Sequence, residues 1–132
     1  MLFRTLIRVK TARDTATDVT DAIHDALSEC VIKEGTCHLY LPATTACLAL
    51  NENDTLLLRD FLSFAKTLAR EEAMYAHPEN AHSHLRAAVF GQDKTIPFSD
   101  GRLVLGQWQR VLLWEFDTHS RERELVISVS GD

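Results

Sequence analysis

The sequence predicts an α+β fold: a mixed β-sheet with helices packed on one side, in a single domain spanning residues 1–132. Three observations carry this. The apolar period changes along the chain in the order strand, helix, strand pair, helix, short helix and three strands. Residues 54–71 hold a long apolar stripe at helical spacing. Asp100-Gly101 separates two apolar runs, a hairpin signal that makes the closing strands antiparallel.

Residues 2–9 alternate as a strand, with Phe3, Thr5, Ile7 and Val9 on one face. In residues 15–30, Val19, Ala22, Ile23, Ala26, Leu27 and Cys30 follow helical spacing, with Thr17 or Asp18 as the cap and His24 outside the apolar stripe, facing solvent. Residues 36–42 and 45–50 read as two short strands, or one strand broken near Pro42, because proline gives no donor to a ladder. In the 54–71 helix, Asp54 caps the start, and Lys66 and Arg70 suit the negative end of the dipole. Pro78 and Asn80 keep 72–80 a loop. Residues 81–91 form a short helix closed by Gly91. Residues 95–117 form the hairpin, with a long second arm, and 123–131 the last strand.

Nineteen acidic against 14 basic residues leave a net charge of −5, and the cations are scattered singly. Nucleic-acid binding draws its affinity from clustered phosphate contacts, so no nucleic-acid partner is expected. Two or three local cations still suffice for a small anion. The three cysteines, Cys30, Cys37 and Cys47, form no CxxC pair, which argues against a zinc knuckle and for a reducing compartment. Arg4 and Arg8 interrupt the first apolar run, unlike a signal peptide, and no run nears the ~20 residues that span a bilayer. The expectation is a cytoplasmic protein with no membrane partner.

His77, His82 and His84 form the one dense histidine cluster. His82 and His84, two apart on a helix, point to different faces. His84 shares the side of the small Ala87 and Ala88, and His77 can fold back from the loop. The pair suits a metal or a proton transfer; a histidine-rich surface turn explains the same spacing. Glu52 in Asn51-Glu52-Asn53 suits a general base, a metal ligand or plain helix capping. Thr44 and Thr45 offer hydroxyls to a phosphate or simply mark a polar kink. Gly106 predicts a bulge, with Gln107 and Gln109 on one face of an edge strand. No Gly-rich nucleotide loop occurs.

In sequence order these pieces resemble the YjbQ-like family, often labelled secondary thiamine-phosphate synthase. The resemblance rests on "GTCHLYLPATTACLALNEN", Asp60, "YAH" at 75–77, "SHLRAAVFG" at 83–91, "IPFSDGRLVLGQWQ" at 96–109 and Arg123. It implies an α+β fold and a homotrimer with sites near subunit boundaries. It implies weak coupling of an aminopyrimidine diphosphate to a thiazole phosphate, with loss of diphosphate. Three histidines would surround a metal or anion; two map onto His77 and His84. Glu52, Thr45, Gln109 and Arg123 map onto other polar motif positions, and Thr44 and Arg86 join them as candidate contacts to a phosphorylated substrate. Where the family motif reads His-Thr-Thr-Ala, this chain has Ala43. The expected metal, zinc or, with Glu52 as an oxygen ligand, magnesium, thereby loses a donor. A non-catalytic trimeric binding protein with a degenerate metal site is the competing expectation.

Overall fold

A computed structural model describes residues 1–132. Eight strands and three helices follow one another as β1 (Leu2–Lys10), β2 (Thr15–Asp18), α1 (Thr20–Ala26), β3 (Gly35–Tyr40), β4 (Ala46–Asn51), α2 (Thr55–Leu68), α3 (Ala81–Phe90), β5 (Asp93–Ser99), β6 (Arg102–Leu103), β7 (Arg110–Glu115) and β8 (Glu122–Gly131). The α+β class is as expected. Every strand pairing is antiparallel, however, where a mixed sheet was predicted.

The strands divide into two sheets, β1-β8-β3-β5-β6 and β2-β7-β4. Alternation along each strand decides which face meets which core. Cys37 and Leu39 of β3, Leu125, Ile127 and Val129 of β8, and Ile96 and Phe98 of β5 point at the small sheet. They meet Ala46 and Leu48 of β4 and Val111 and Leu113 of β7 in one cluster, closed at its edge by Val19, Ile23 and Leu27 around α1. Fully burying one such Leu or Ile stabilises the fold by roughly 1.5–3 kcal/mol.

The alternate residues of the small sheet, Cys47 and Trp114, face outward with Phe116 and pack on Leu58, Phe61, Leu62 and Ala65 of α2. Phe61 stacks on Trp114 at 4.8 Å. The helices therefore do not share one side: α1 joins the inter-sheet core, and α2 covers the far face of the small sheet. The outer face of the large sheet keeps Leu2, Leu6 and Tyr40 exposed.

Three local expectations change. The predicted start of the first helix is strand β2, paired with β7, so α1 is only seven residues long. His24 is half-buried rather than solvated, and its Nε2 accepts the Leu103 N–H at 3.2 Å. The long hairpin arm breaks: β6 pairs with β5 over two residues, and the chain then crosses to the other sheet as β7. Gly106 lies in that crossover rather than in a strand bulge. Other signals hold. Asp54 Oδ2 accepts the Leu57 N–H at 2.9 Å, and Gly91 ends α3 at φ 91°. Gly35 and Gly131 face each other where β3 meets β8; a Cβ on either would sit 1.9 Å from a backbone oxygen.

Candidate functional site

At one end of the small sheet, β4 and β7 emerge side by side. Their register pairs Ala46 with Glu115, so the residues flanking these ends, Thr45 and Asp117, become neighbours. Alternation turns Glu115 inward with Val111 and Leu113, and Arg123 inward with Leu125 of β8. Two charged side chains thus meet at the rim of an apolar core. Arg123 clamps Glu115 through Nε to Oε1 at 2.8 Å and Nη2 to Oε2 at 2.6 Å. The Thr11 hydroxyl donates to Oε1 at 2.6 Å, and the Asp117 N–H to Oε2 at 3.2 Å. Glu115 is wholly buried, so these donors replace its hydration.

The network continues outward. Arg123 Nη2 donates to the Thr45 hydroxyl at 2.7 Å, which donates to Asp117 Oδ2 at 3.2 Å. Arg121 donates to the same carboxylate through Nε and Nη2, at 3.0 and 2.7 Å. Burial alone would raise the pKa of Asp117. Hydrogen bonds from the Thr118 N–H, Asn80 and Arg121, with the charge of Arg121, outweigh it and hold the carboxyl well below its usual range.

An ionised Asp117 fixes a histidine two links away. Asn80 Nδ2 donates to Asp117 Oδ1 at 3.2 Å, and a carboxylate only accepts, so the amide orientation is set. Its oxygen then faces His77 Nε2 at 2.9 Å, and that nitrogen carries the proton. Neutral His77 keeps its lone pair on Nδ1. The His77 and His84 rings meet edge to face at 5.2 Å.

These groups border a cleft of about 550 Å³ lined by Thr44, Thr45, Asn80, His84, Asp117 and the two arginines, with Tyr40, Pro42 and Ala43 alongside. The structure brings together His77, His84, Thr44, Thr45 and Arg123 as expected. It separates three other candidates. The same β4–β7 register pairs Asn51 with Arg110. Glu52 and Gln109 therefore lie together at the opposite end of β4, a strand length of roughly 20 Å away. There Gln109 Oε1 accepts the Gly106 N–H at 3.0 Å, and Glu52 lines a cleft with Asp18 and Arg110. Arg86 leaves α3 on another side, with its guanidinium 5.5 Å from the Phe116 ring centre and Nε donating to Ala69 O. Asn80, Asp117 and Arg121 are the residues that sequence reasoning missed; "DTHSR" after an apolar run gave the one signal, a polar turn.

A metal held within one chain does not fit. No three His, Cys, Asp or Glu side chains converge anywhere in the chain. His77 offers only Nδ1 because Asn80 engages its Nε2, His84 adds a second imidazole, the oxygens of Asp117 already accept five hydrogen bonds, and Ala43 lines the cleft with no lone pair to offer.

Two other histidines bear on stability. Burial, then the charge of Arg86, lowers the pKa of His82; burial, then Arg102, lowers that of His24. The unfolded chain thus binds more protons as pH falls through about 6.5. Stability is greatest above that value and declines below it. Urea midpoints at pH 7.5 and 5.5 test this: the midpoint drops in acid, and His82→Gln shrinks the drop.

The model of the family described as UPF0047 protein YjbQ-like matches residues 5–132. The chain belongs to this family. A UPF0047 protein of Methanocaldococcus jannaschii is 34% identical over 100% of this chain and 96% of its own length. One from Archaeoglobus fulgidus is 35% identical over 91% of this chain and 96% of its own. The crystal structure of a YbjQ-like protein of unknown function from Sulfolobus solfataricus superposes with a TM-score of 0.94 at 30% identity, covering 100% of this chain and 99% of that one. A hypothetical protein of Aeropyrum pernix gives 0.92 at 34% identity, over 98% and 99%. The YjbQ-like fold thus extends over the whole chain. No helix is long and apolar enough to cross a membrane.

Proposed function

We propose that this YjbQ-like protein binds a small phosphorylated molecule in the Thr44–His84 cleft, using guanidinium, hydroxyl and imidazole groups in place of a tightly held metal. The observation that carries this is the state of the two arginines. Asp117 and Glu115 hold them in place through Nε and Nη2, and neither commits its Nη1 to a protein partner. Preorganised guanidinium donors suit phosphate oxygens, and ordering them costs nothing further on binding. The homotrimer implied by the family resemblance belongs to the same proposal. Leu6, Val126 and Tyr40 lie in register across β1, β8 and β3 on the uncovered face of the large sheet, which supports it.

The test is calorimetric titration with inorganic diphosphate. Arg121→Gln should weaken binding by roughly tenfold or more, the worth of one charge-assisted contact. Equal affinity in the variant and the parent chain overturns the assignment. The paired imidazoles favour a second reading, the weak coupling of an aminopyrimidine diphosphate to a thiazole phosphate. There the arginines would receive the departing diphosphate and His84 would supply a proton.

A further inference from the structure

The side of α3 away from His84 borders a second cleft, of about 280 Å³, with seven lining side chains and no apolar one among them. Three segments build it. Arg13 and Asp14 come from the turn between β1 and β2, Lys66 and Arg70 from the end of α2, and Arg86 from α3. Arg86 is only 1% exposed, a costly place for a cation. Its Nε is satisfied by Ala69 O, but Nη1 has no hydrogen-bond partner. Asp14 Oδ1 is likewise buried without one. The two orphaned atoms face each other 3.7 Å apart, within ion-pair distance but too far for a hydrogen bond. Buried polar atoms of this kind are rare in folded proteins, because each costs about 1–3 kcal/mol.

The remaining charges of the cleft are unequal. Glu71 is taken by Arg13 and approached by His82 Nε2 at 3.5 Å. Glu72 stands alone on the acidic side. Lys66 and Arg70 line the cleft with no carboxylate within ion-pair distance and no donated hydrogen bond to the protein. The cleft thus offers one buried guanidinium donor, two free rim cations and one buried acceptor, against one unpaired rim carboxylate, Glu72.

We propose that this second cleft binds a phosphate group in its monohydrogen form, one oxygen accepting from Arg86 and Lys66 or Arg70 while its P–OH donates to Asp14. A single protonated phosphate satisfies both orphans at once, which a chloride or a carboxylate does not. Sulfate has the same shape and charge and carries no proton at neutral pH, so its oxygen would face the Asp14 carboxylate. A buried acceptor left opposed in this way discriminates strongly. The free ion and a small phosphate monoester share this chemistry, except that a monoester carries its proton only below about pH 6. The inference does not depend on the Thr44–His84 cleft.

Calorimetric titration of the Arg121→Gln chain with inorganic phosphate at pH 7 weakens the Thr44–His84 cleft and leaves this one intact. The expected result is one phosphate per chain, with sulfate at least roughly tenfold weaker. Lys66→Gln/Arg70→Gln, which changes only rim side chains, should weaken phosphate by about tenfold or more. Asp14→Asn suits the positive φ of 53° at that position and should bring sulfate within about threefold of phosphate. A second titration with a phosphate monoester at pH 5.5 and 7.5 separates the sources: binding only at the lower pH marks the P–OH as essential. No phosphate binding, sulfate as tight as phosphate, or an unchanged Lys66→Gln/Arg70→Gln variant overturns the proposal.

Discussion

Ala43→His should convert the Thr44–His84 cleft into a zinc site, with affinity on the order of a hundredfold above the parent chain. Losing even a group that merely supports a ligand costs 10–100-fold in metal affinity, and a third imidazole adds a ligand outright. The geometry favours it. Ala43 and His84 line the same cleft, and the His77 ring lies 5.2 Å from His84. The Asp117–Asn80 link leaves His77 Nδ1 free to coordinate. Competition for zinc against a chromophoric chelator measures the gain. If both proteins yield zinc to the chelator at the same concentration, Ala43 does not occupy the vacated ligand position. A gain of zinc together with diphosphate release would favour an enzyme ancestry; zinc without it would favour a cleft adapted to binding alone.

Arg123→Leu should cost about 3–5 kcal/mol, because it strands a charge rather than because the ion pair itself is strong. Glu115 is 0% exposed, and Arg123 supplies two of its four hydrogen bonds. For a chain of this size the thermal midpoint falls by roughly 10–20 °C. Thr45 loses a donor in the same step, so the Thr45 end of the cleft loosens too. The double variant Glu115→Gln/Arg123→Leu removes the stranded charge and should recover at least about 1 kcal/mol of the loss. Urea unfolding of the three proteins decides it. A loss under about 1 kcal/mol for Arg123→Leu would mean that the guanidinium is held for a ligand and not for the fold.

Both predictions concern residues that the sequence placed only partly. Arg123 was expected to touch substrate; its place beside Glu115 gives it a structural duty first. Glu52 and Gln109 were grouped with His77 and His84 because their motifs follow in order along the chain. Order carries no information about which end of a strand a motif occupies. Asp117 and Asn80, 37 residues apart, gave no joint signal at all. Strand β2 was missed for a related reason: four residues of Thr-Ala-Thr-Asp carry little pattern of their own, and pairing with β7 decides their conformation.

What the sequence by itself determined was local. The stripe of α2, its Asp54 cap, the Gly91 stop and the alternation of β1 and β8 follow from neighbours within a few residues, where sterics and hydrogen bonding act directly. Only the tertiary structure decided how the local pieces register. Pairing Ala46 with Glu115 and Asn51 with Arg110 sends the polar residues beyond β4 and β7 to opposite ends of the small sheet. That ladder depends on two buried faces meeting across roughly sixty to seventy residues of chain, and a shift of one residue would turn Glu115 out of the core rim and Trp114 into it.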